Sequence, residues 1–280
     1  MNRESIVAKK KFGQNFLKDQ SVLRQIVEAM PKNENKIVEI GPGLGDLTKF
    51  LVDVKSVEAF EVDTDLCKLL QSTFKEEIAT KRLHINCGDV LNAWQSELVR
   101  EPYDLVANLP YYIATNILLK ALADPMCKNI LVMVQLEVAE KFCATAGEKV
   151  FGSLSVIAQS IGTAQIVVKV PPTAFDPQPK VDSAVFLIEK NADRNDKEFE
   201  DMLRVAFSQP RKTLVKNLSS KYDRKKLQEV LEKLELALTV RPHQVSTNDY
   251  HQLYKLTRSL DGRRDTRGST KQTSGTTQTK

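Results

Sequence analysis

Apolar positions follow two regimes along the chain. Up to about residue 190, short apolar runs at 37–40, 57–62, 83–85, 105–107 and 130–134 each end in a turn or polar signal. Helix-like stretches at 47–52, 65–74 and 115–122 lie between them. Strands alternating with helices predict a mostly parallel sheet covered on both faces. Ahead of the first strand, residues 19–30 carry Val22, Leu23, Ile26, Val27 and Met30 on one helical face, with Asp19 placed to cap the start. Further on, residues 165–170 and 183–189 bracket a proline-rich loop and read as a β-hairpin closing one edge of the sheet.

After about Lys190 only helical spacing remains. Phe199, Met202, Leu203, Ala206 and Phe207 share one face, as do Leu227, Val230, Leu231 and Leu234, and then Tyr250, Leu253, Tyr254 and Thr257. Ser246 with Asp249 has the spacing of a capping box. The expected organisation is an α/β domain over residues 1–190 and a small all-helical domain over 191–260. A tail at 261–280, rich in Ser, Thr, Gly, Lys and Arg, is expected to be disordered.

Charge adds an asymmetry. Residues 1–190 hold 22 Lys and Arg against 24 Asp and Glu, residues 191–260 hold 14 against 10, and the tail holds 5 against 2. The first eleven residues are also basic. A near-neutral body with a basic appendage fits a polyanion partner as well as it fits chance. No apolar run reaches the roughly 20 residues of a membrane span, and no signal peptide is visible. Cys67, Cys87, Cys127 and Cys143 are scattered with no Cys-x-x-Cys pair, which argues against zinc and against a disulfide framework. Free thiols, no metal and a cytoplasmic location are the expectation. His84, His243 and His251 are isolated and read as structural.

The strongest local signal is Val38-Glu39-Ile40-Gly41-Pro42-Gly43-Leu44-Gly45-Asp46, a strand running into a glycine-rich turn and then a helix. A dinucleotide site wants a third glycine at position 46, which here is Asp, and an acid at that helix start would repel a pyrophosphate. S-adenosylmethionine has no phosphate and is cationic at sulfur, so an acid-lined pocket suits it. Glu61 ends the second strand, 20 residues after Gly41, where it can accept ribose hydroxyls; Asp89 follows the third strand, where it can accept an adenine amino group. Taken singly, each could be a solvated or turn-capping acid; at successive strand ends they point to a cofactor. The fourth strand delivers Asn108-Leu109-Pro110-Tyr111. The exocyclic nitrogen of adenine is a poor nucleophile because its lone pair is delocalised. The Asn108 side-chain carbonyl and the Leu109 main-chain carbonyl can accept its two N–H bonds, Pro110 stiffens the turn, and Tyr111 can stack on the base. Positioning then carries the reaction, with no strong base required.

These residues resemble the KsgA-type ribosomal RNA adenine dimethyltransferases, a family shared with the Erm macrolide-resistance enzymes. The resemblance covers about residues 10–260. It rests on Phe12-Gly13-Gln14-Asn15-Phe16-Leu17, the glycine loop, Asn108-Leu109-Pro110-Tyr111, and Phe175-x-Pro177-x-Pro179-Lys180-Val181-Asp182-Ser183-Ala184-Val185. It implies a Rossmann-like S-adenosylmethionine-dependent methyltransferase sheet with Asn15, Leu17, Gly41, Glu61, Asp89 and Asn108 at the cofactor. It also implies Asn108, Leu109, Tyr111 and Phe175 at the reacting base, the last facing Tyr111 across a flipped adenine. The implied substrate is a pair of adjacent adenosines near the 3′ end of small-subunit rRNA in a pre-ribosomal 30S particle, with the enzyme a monomer. Phe207 to Leu218 and Arg241-Pro242-x-x-Val245-Ser246 resemble the KsgA branch more than the Erm branch. Leu136, Phe151 and Val90 depart from the usual family residues, and Leu136 implies one fewer basic RNA contact. A large-subunit methyltransferase and a non-catalytic RNA-binding assembly factor are the competing readings.

Overall fold

The computed structural model describes residues 14–192 and 196–261. The expected basic N-terminal stretch and nearly all of the expected tail lie outside the described residues. The chain forms two compact units, the first ending its leading segment at Ala144 and resuming over Leu154–Asn195, the second made of Thr145–Ser153 and the chain from Asp196. The sequence pattern places Thr145–Ser153 in the first domain instead. Within the second unit this segment is tied by a Gly147 N–H donated to the His243 carbonyl at 2.7 Å and by an edge-on contact of Phe151 with Phe207.

The strands of the first unit are β1 (Phe16–Leu17), β2 (Lys36–Ile40), β3 (Val57–Glu61), β4 (Leu83–Cys87), β5 (Tyr103–Asn108), β6 (Cys127–Gln135), β7 (Gly162–Val170), β8 (Phe175–Asp176) and β9 (Ser183–Lys190). Seven of them form one sheet in the order β4-β3-β2-β5-β6-β9-β7. From β4 to β6 neighbours are parallel, and β9 runs antiparallel to both β6 and β7. The expected hairpin therefore closes the sheet, with β7 at the edge. The central strands β5 and β6 are apolar almost throughout and buried, as strands covered on both faces must be.

Helices α1 (Gln20–Glu28), α2 (Asp46–Val54), α3 (Thr64–Thr73), α4 (Lys75–Ala79), α5 (Val90–Ala93), α6 (Ala114–Ala123), α7 (Leu136–Cys143) and α8 (Ser153–Ile161) complete the series up to residue 161. Asp19 caps α1 as its sequence predicts, accepting from the Ser21 and Val22 amides at 2.8 and 3.3 Å. Helix α7 goes beyond the elements the pattern predicts. It follows β6 directly, with no side-chain cap at Gln135, so one apolar run passes from strand to helix without punctuation. The second unit contributes α9 (Lys197–Ala206), α10 (Leu214–Leu218), α11 (Arg224–Lys233) and α12 (Thr247–Asp261). The Ser246–Asp249 cap forms, with the Asp249 amide donating to Ser246 Oγ at 3.1 Å. His251 stacks on Phe199 with ring centroids 4.6 Å apart.

The cysteines depart from the expectation of four free thiols. Cys67 and Cys87 form a disulfide, while Cys127 and Cys143 are free. Cys67 lies on the inner side of α3 and Cys87 ends β4, so the β3–α3–β4 crossover brings their Cα atoms to 6.1 Å although 20 residues separate them. Cysteine usage therefore gives no argument for a reducing compartment.

The glycine loop is held in shape by packing. Gly45 has φ of +82°, and a Cβ there would stand 2.6 Å from a Phe74 ring carbon. Alanine at this position has to adopt the left-handed region and displace a buried ring. Gly45→Ala should cost at least about 1–2 kcal/mol from the backbone conformation alone. Urea unfolding of the purified protein measures it; an unchanged midpoint would show that the turn relaxes freely.

Candidate active site

Strands β2 and β5 are neighbours, and the strand order reverses between them. Beyond the carboxyl ends of such strands lies the place where open α/β sheets bind ligands. A cleft opens there. Its walls come from β1 and from the turns after β2, β3, β4 and β5.

Each turn is fixed by its neighbours. Gly41 donates its N–H to the Phe60 carbonyl at 2.9 Å, and a Cβ on it would meet the Pro110 ring at 3.5 Å. The β2 and β5 turns thus lie in van der Waals contact, and the φ of +70° at Gly41 is one that glycine adopts without strain. Glu61 is held by two backbone amides, Gly43 N–H to Oε2 at 3.1 Å and Asp63 N–H to Oε1 at 2.9 Å. Asp89 caps α5, accepting from the Leu91 amide at 2.9 Å, and still lines the cleft. The capping role and the cleft position coexist, because a carboxylate has more than one acceptor site. Asn108 donates its side-chain N–H to the Asn15 carbonyl at 3.3 Å. That contact sends the other half of the carboxamide, its oxygen, the opposite way.

Of the expected site residues, Asn15, Leu17, Gly41, Glu61, Asp89, Asn108, Leu109 and Tyr111 all line this one cleft. Phe175 does not. It is 3% exposed and packs in the apolar core with Leu17 and Ala174. The physical reason is the small sheet formed by β1 and β8, where Leu17 pairs with Phe175 and the Lys18 amide donates to the Ala174 carbonyl at 2.8 Å. This pairing holds the ring inward, so in this structure Phe175 lies in the core and not on the cleft wall where a partner of Tyr111 is expected.

The electrostatics are one-sided. Glu39, Asp46, Glu61 and Asp89 line the cleft, and no Lys, Arg or His does so among the described residues. Glu39 is buried, with Thr48 Oγ1 donating to its carboxylate at 2.7 Å. Burial pushes its pKa up to about 8, the Thr48 hydrogen bond opposes the shift, and the negative charge of Glu61 adds to it. Burial also raises the Glu61 pKa, against the two amides that favour its charged form. Glu39 therefore holds its proton at neutral pH and Asp46 is paired with Lys18 at 3.0 Å, which leaves Glu61 and Asp89 as the acids that suit a sulfonium better than a pyrophosphate. Among the described residues no group of three or more His, Cys, Asp or Glu could hold a metal ion.

Residues 6–259 match the family model described as ribosomal RNA adenine dimethylase. The chain belongs to that family. It is an S-adenosylmethionine-dependent methyltransferase acting on rRNA adenine. It is 79% identical over 262 residues to the ribosomal RNA small subunit methyltransferase A of Sulfurimonas denitrificans, covering 94% of this chain and 98% of the relative. It is 49% identical over 255 residues to the protein of the same name from Aliarcobacter butzleri, covering 90% and 96%. In fold it is similar to a dimethyladenosine transferase from Plasmodium falciparum, with a TM-score of 0.76 at 24% identity over 88% of this chain and 98% of that one. The 23S rRNA methyltransferase ErmE gives 0.69 at 24% identity, over 87% and 100%.

Two further cleft residues are not singled out by their sequence context. Glu39 sits within the glycine-loop motif, and the one signal for it is an acid inside the otherwise apolar run Ile37-Val38-Glu39-Ile40. Tyr112 is 57% exposed at the cleft, and burial together with the charges of Asp89 and Glu61 raises its pKa. In the sequence Tyr111, next to it, overshadows it.

A pH test follows from Glu39. Its folded pKa lies above its unfolded value, so the folded state holds the proton more tightly. That stabilisation is fully present below about 4.5 and is lost as pH rises through about 8. Glu39→Gln keeps an acceptor for Thr48 and removes the titration. The ligand-free variant should show a flatter decline of melting temperature across that window and should exceed the parent at alkaline pH. Identical profiles would show that Glu39 does not carry this proton.

Proposed function

We propose that the enzyme dimethylates the N6 atoms of two adjacent adenosines near the 3′ end of small-subunit rRNA, within a pre-ribosomal 30S particle. It acts as a monomer in the cytoplasm. One observation carries this reading: the Asn108–Tyr111 turn and the acid-lined glycine loop open onto a single cleft. The small-subunit assignment is supported by the names of relatives at 79% and 49% identity.

In this reading the methionine and adenosine parts of S-adenosylmethionine lie along the turns after β2, β3 and β4. Asn15, Leu17 and Gly41 pack against the cofactor. Glu61, already fixed by two amides, accepts the ribose hydroxyls with its remaining lone pairs. Asp89 accepts the amino group of the cofactor's adenine. The target adenine leaves its stack and lies on Tyr111. The Asn108 side-chain oxygen and the Leu109 carbonyl accept its two N–H bonds and turn the nitrogen lone pair toward the sulfonium methyl. The N–C bond forms as the C–S bond breaks, S-adenosylhomocysteine leaves, and the displaced N–H proton passes to solvent. A second cycle adds the second methyl. Phe175 joins as the opposite stacking face only when its ring is uncovered from the core. In the second unit the exposed Arg211, Lys212, Lys216, Lys221, Arg224 and Lys225 hold RNA phosphates.

Incubation of unmethylated small-subunit particles with enzyme and labelled donor, followed by mass-spectrometric mapping, tests the substrate. Dimethyladenosine at two neighbouring positions near the 3′ end is expected; label confined to large-subunit rRNA refutes the assignment. For the cofactor, Glu61→Ala should weaken S-adenosylhomocysteine binding by about 100-fold or more, the worth of two charge-assisted hydrogen bonds at about 1.5 kcal/mol each. Its affinity for RNA should stay within about twofold of the parent by the same reasoning. Equal losses of both in calorimetry would refute the ribose role.

A further inference from the structure

The Tyr111 hydroxyl and Ser183 Oγ lie 2.7 Å apart, although 72 residues separate them in sequence. Ser183 is fully buried and begins β9. There it pairs with Gln135 at the end of β6 and with Val170 at the end of β7. Its hydroxyl therefore projects from the tip of a strand held on both sides. Tyr111 is partly buried and lines the cleft. At the backbone end, the preceding Leu109 amide donates to the Met133 carbonyl at 3.0 Å, and Pro110 packs on Gly41. Tyr111 is thus held to β9 through its hydroxyl, and the turn that carries it is held to β6 through Leu109.

We propose that Ser183 is a positioning residue for methyl transfer, fixing the plane of the Tyr111 ring against which the target adenine lies. The inference rests on the stacking role given to Tyr111 above. A tyrosine without a partner for its hydroxyl swings about its side-chain bonds, and a stacked base swings with it. In-line attack tolerates little of this, because displacement of reacting groups by about 1 Å can cost 100-fold in rate. Ser183 itself touches neither cofactor nor base; it acts through the tyrosine. It also makes the edge hairpin part of the reaction centre, although β9 lies two strands from β5 in the sheet.

The test is a double-mutant cycle on methylation of unmethylated small-subunit particles, using Ser183→Ala, Tyr111→Phe and the pair. Tyr111→Phe keeps the stacking ring and removes only the hydroxyl. Each single variant should lower kcat by about 10-fold, with KM for the particle and S-adenosylhomocysteine affinity within about twofold of the parent, as expected when ordering rather than binding is lost. The pair should be no slower than either single variant, since both remove the same contact. Multiplicative losses, about 100-fold in the pair, or parental turnover in either single variant overturn the proposal. Should Ser183→Ala fail to fold, Tyr111→Phe decides alone, and parental kcat from it is fatal. Parental activity that survives Tyr111→Ala removes the stacking reading itself, and this inference with it. Activity lost in Tyr111→Ala but parental in Ser183→Ala removes only the inference.

Discussion

Two parallel strands side by side whose chains continue in opposite directions across the sheet cannot both be covered at their tips. Chain leaving β2 goes by way of α2 to β3, and chain leaving β5 goes by way of α6 to β6, on the other side in the strand order. Right-handed crossovers then put α2 and α6 on opposite faces. The gap between the two departing turns is a topological necessity, and the site depends on it. What sequence adds is how narrowly the gap is built. Gly41 allows the β5 turn to lie against the β2 turn through Pro110, and Gly45 lets α2 begin directly under the Phe74 ring. A side chain at Gly45 would run into the Phe74 ring, and one at Gly41 would strain the backbone at its φ of +70°.

The carboxylates of the cleft have different physical standing. Glu61 has two amides to stabilise its charge, one of them from the glycine loop itself, so the loop that shapes the pocket also orients the acid. Glu39 is deeper, with one hydroxyl partner, and burial makes its proton hard to remove. A cationic ligand changes that balance, since opposite charge within a few ångströms favours the ionised carboxylate. Binding of a sulfonium and ionisation of Glu39 are therefore linked in sign, whichever group comes first.

Much of this architecture is legible in the amino-acid sequence alone. The five parallel strands stand out because apolar runs of strand length recur between helical patterns. The strand-end residues Gly41, Glu61, Asp89 and Asn108 can be read because their chemistry is local to each turn. What the sequence hides is long-range. Helix α7 has no cap or turn ahead of it. The Cys67–Cys87 bond depends on a crossover bringing together residues 20 apart. The Tyr111–Ser183 contact spans 72 residues and joins strands that are not even neighbours. Local patterns carry periodicity and turn chemistry; they do not carry which strand tip lies beside which.

Phe175 shows the same limit in a sharper form. Its sequence context reads as a rigid proline-rich loop, and the resemblance to a family gives the ring a base to hold. The structure gives the ring a place in the core because two residues of β1 capture the loop as β8. An aromatic face hidden from water in the absence of RNA costs nothing to keep until a base arrives, whereas an exposed one would present apolar surface to solvent. Moving the ring out requires release of the β1–β8 pairing, in which Leu17, a residue of both the core and the cleft wall, stands opposite Phe175.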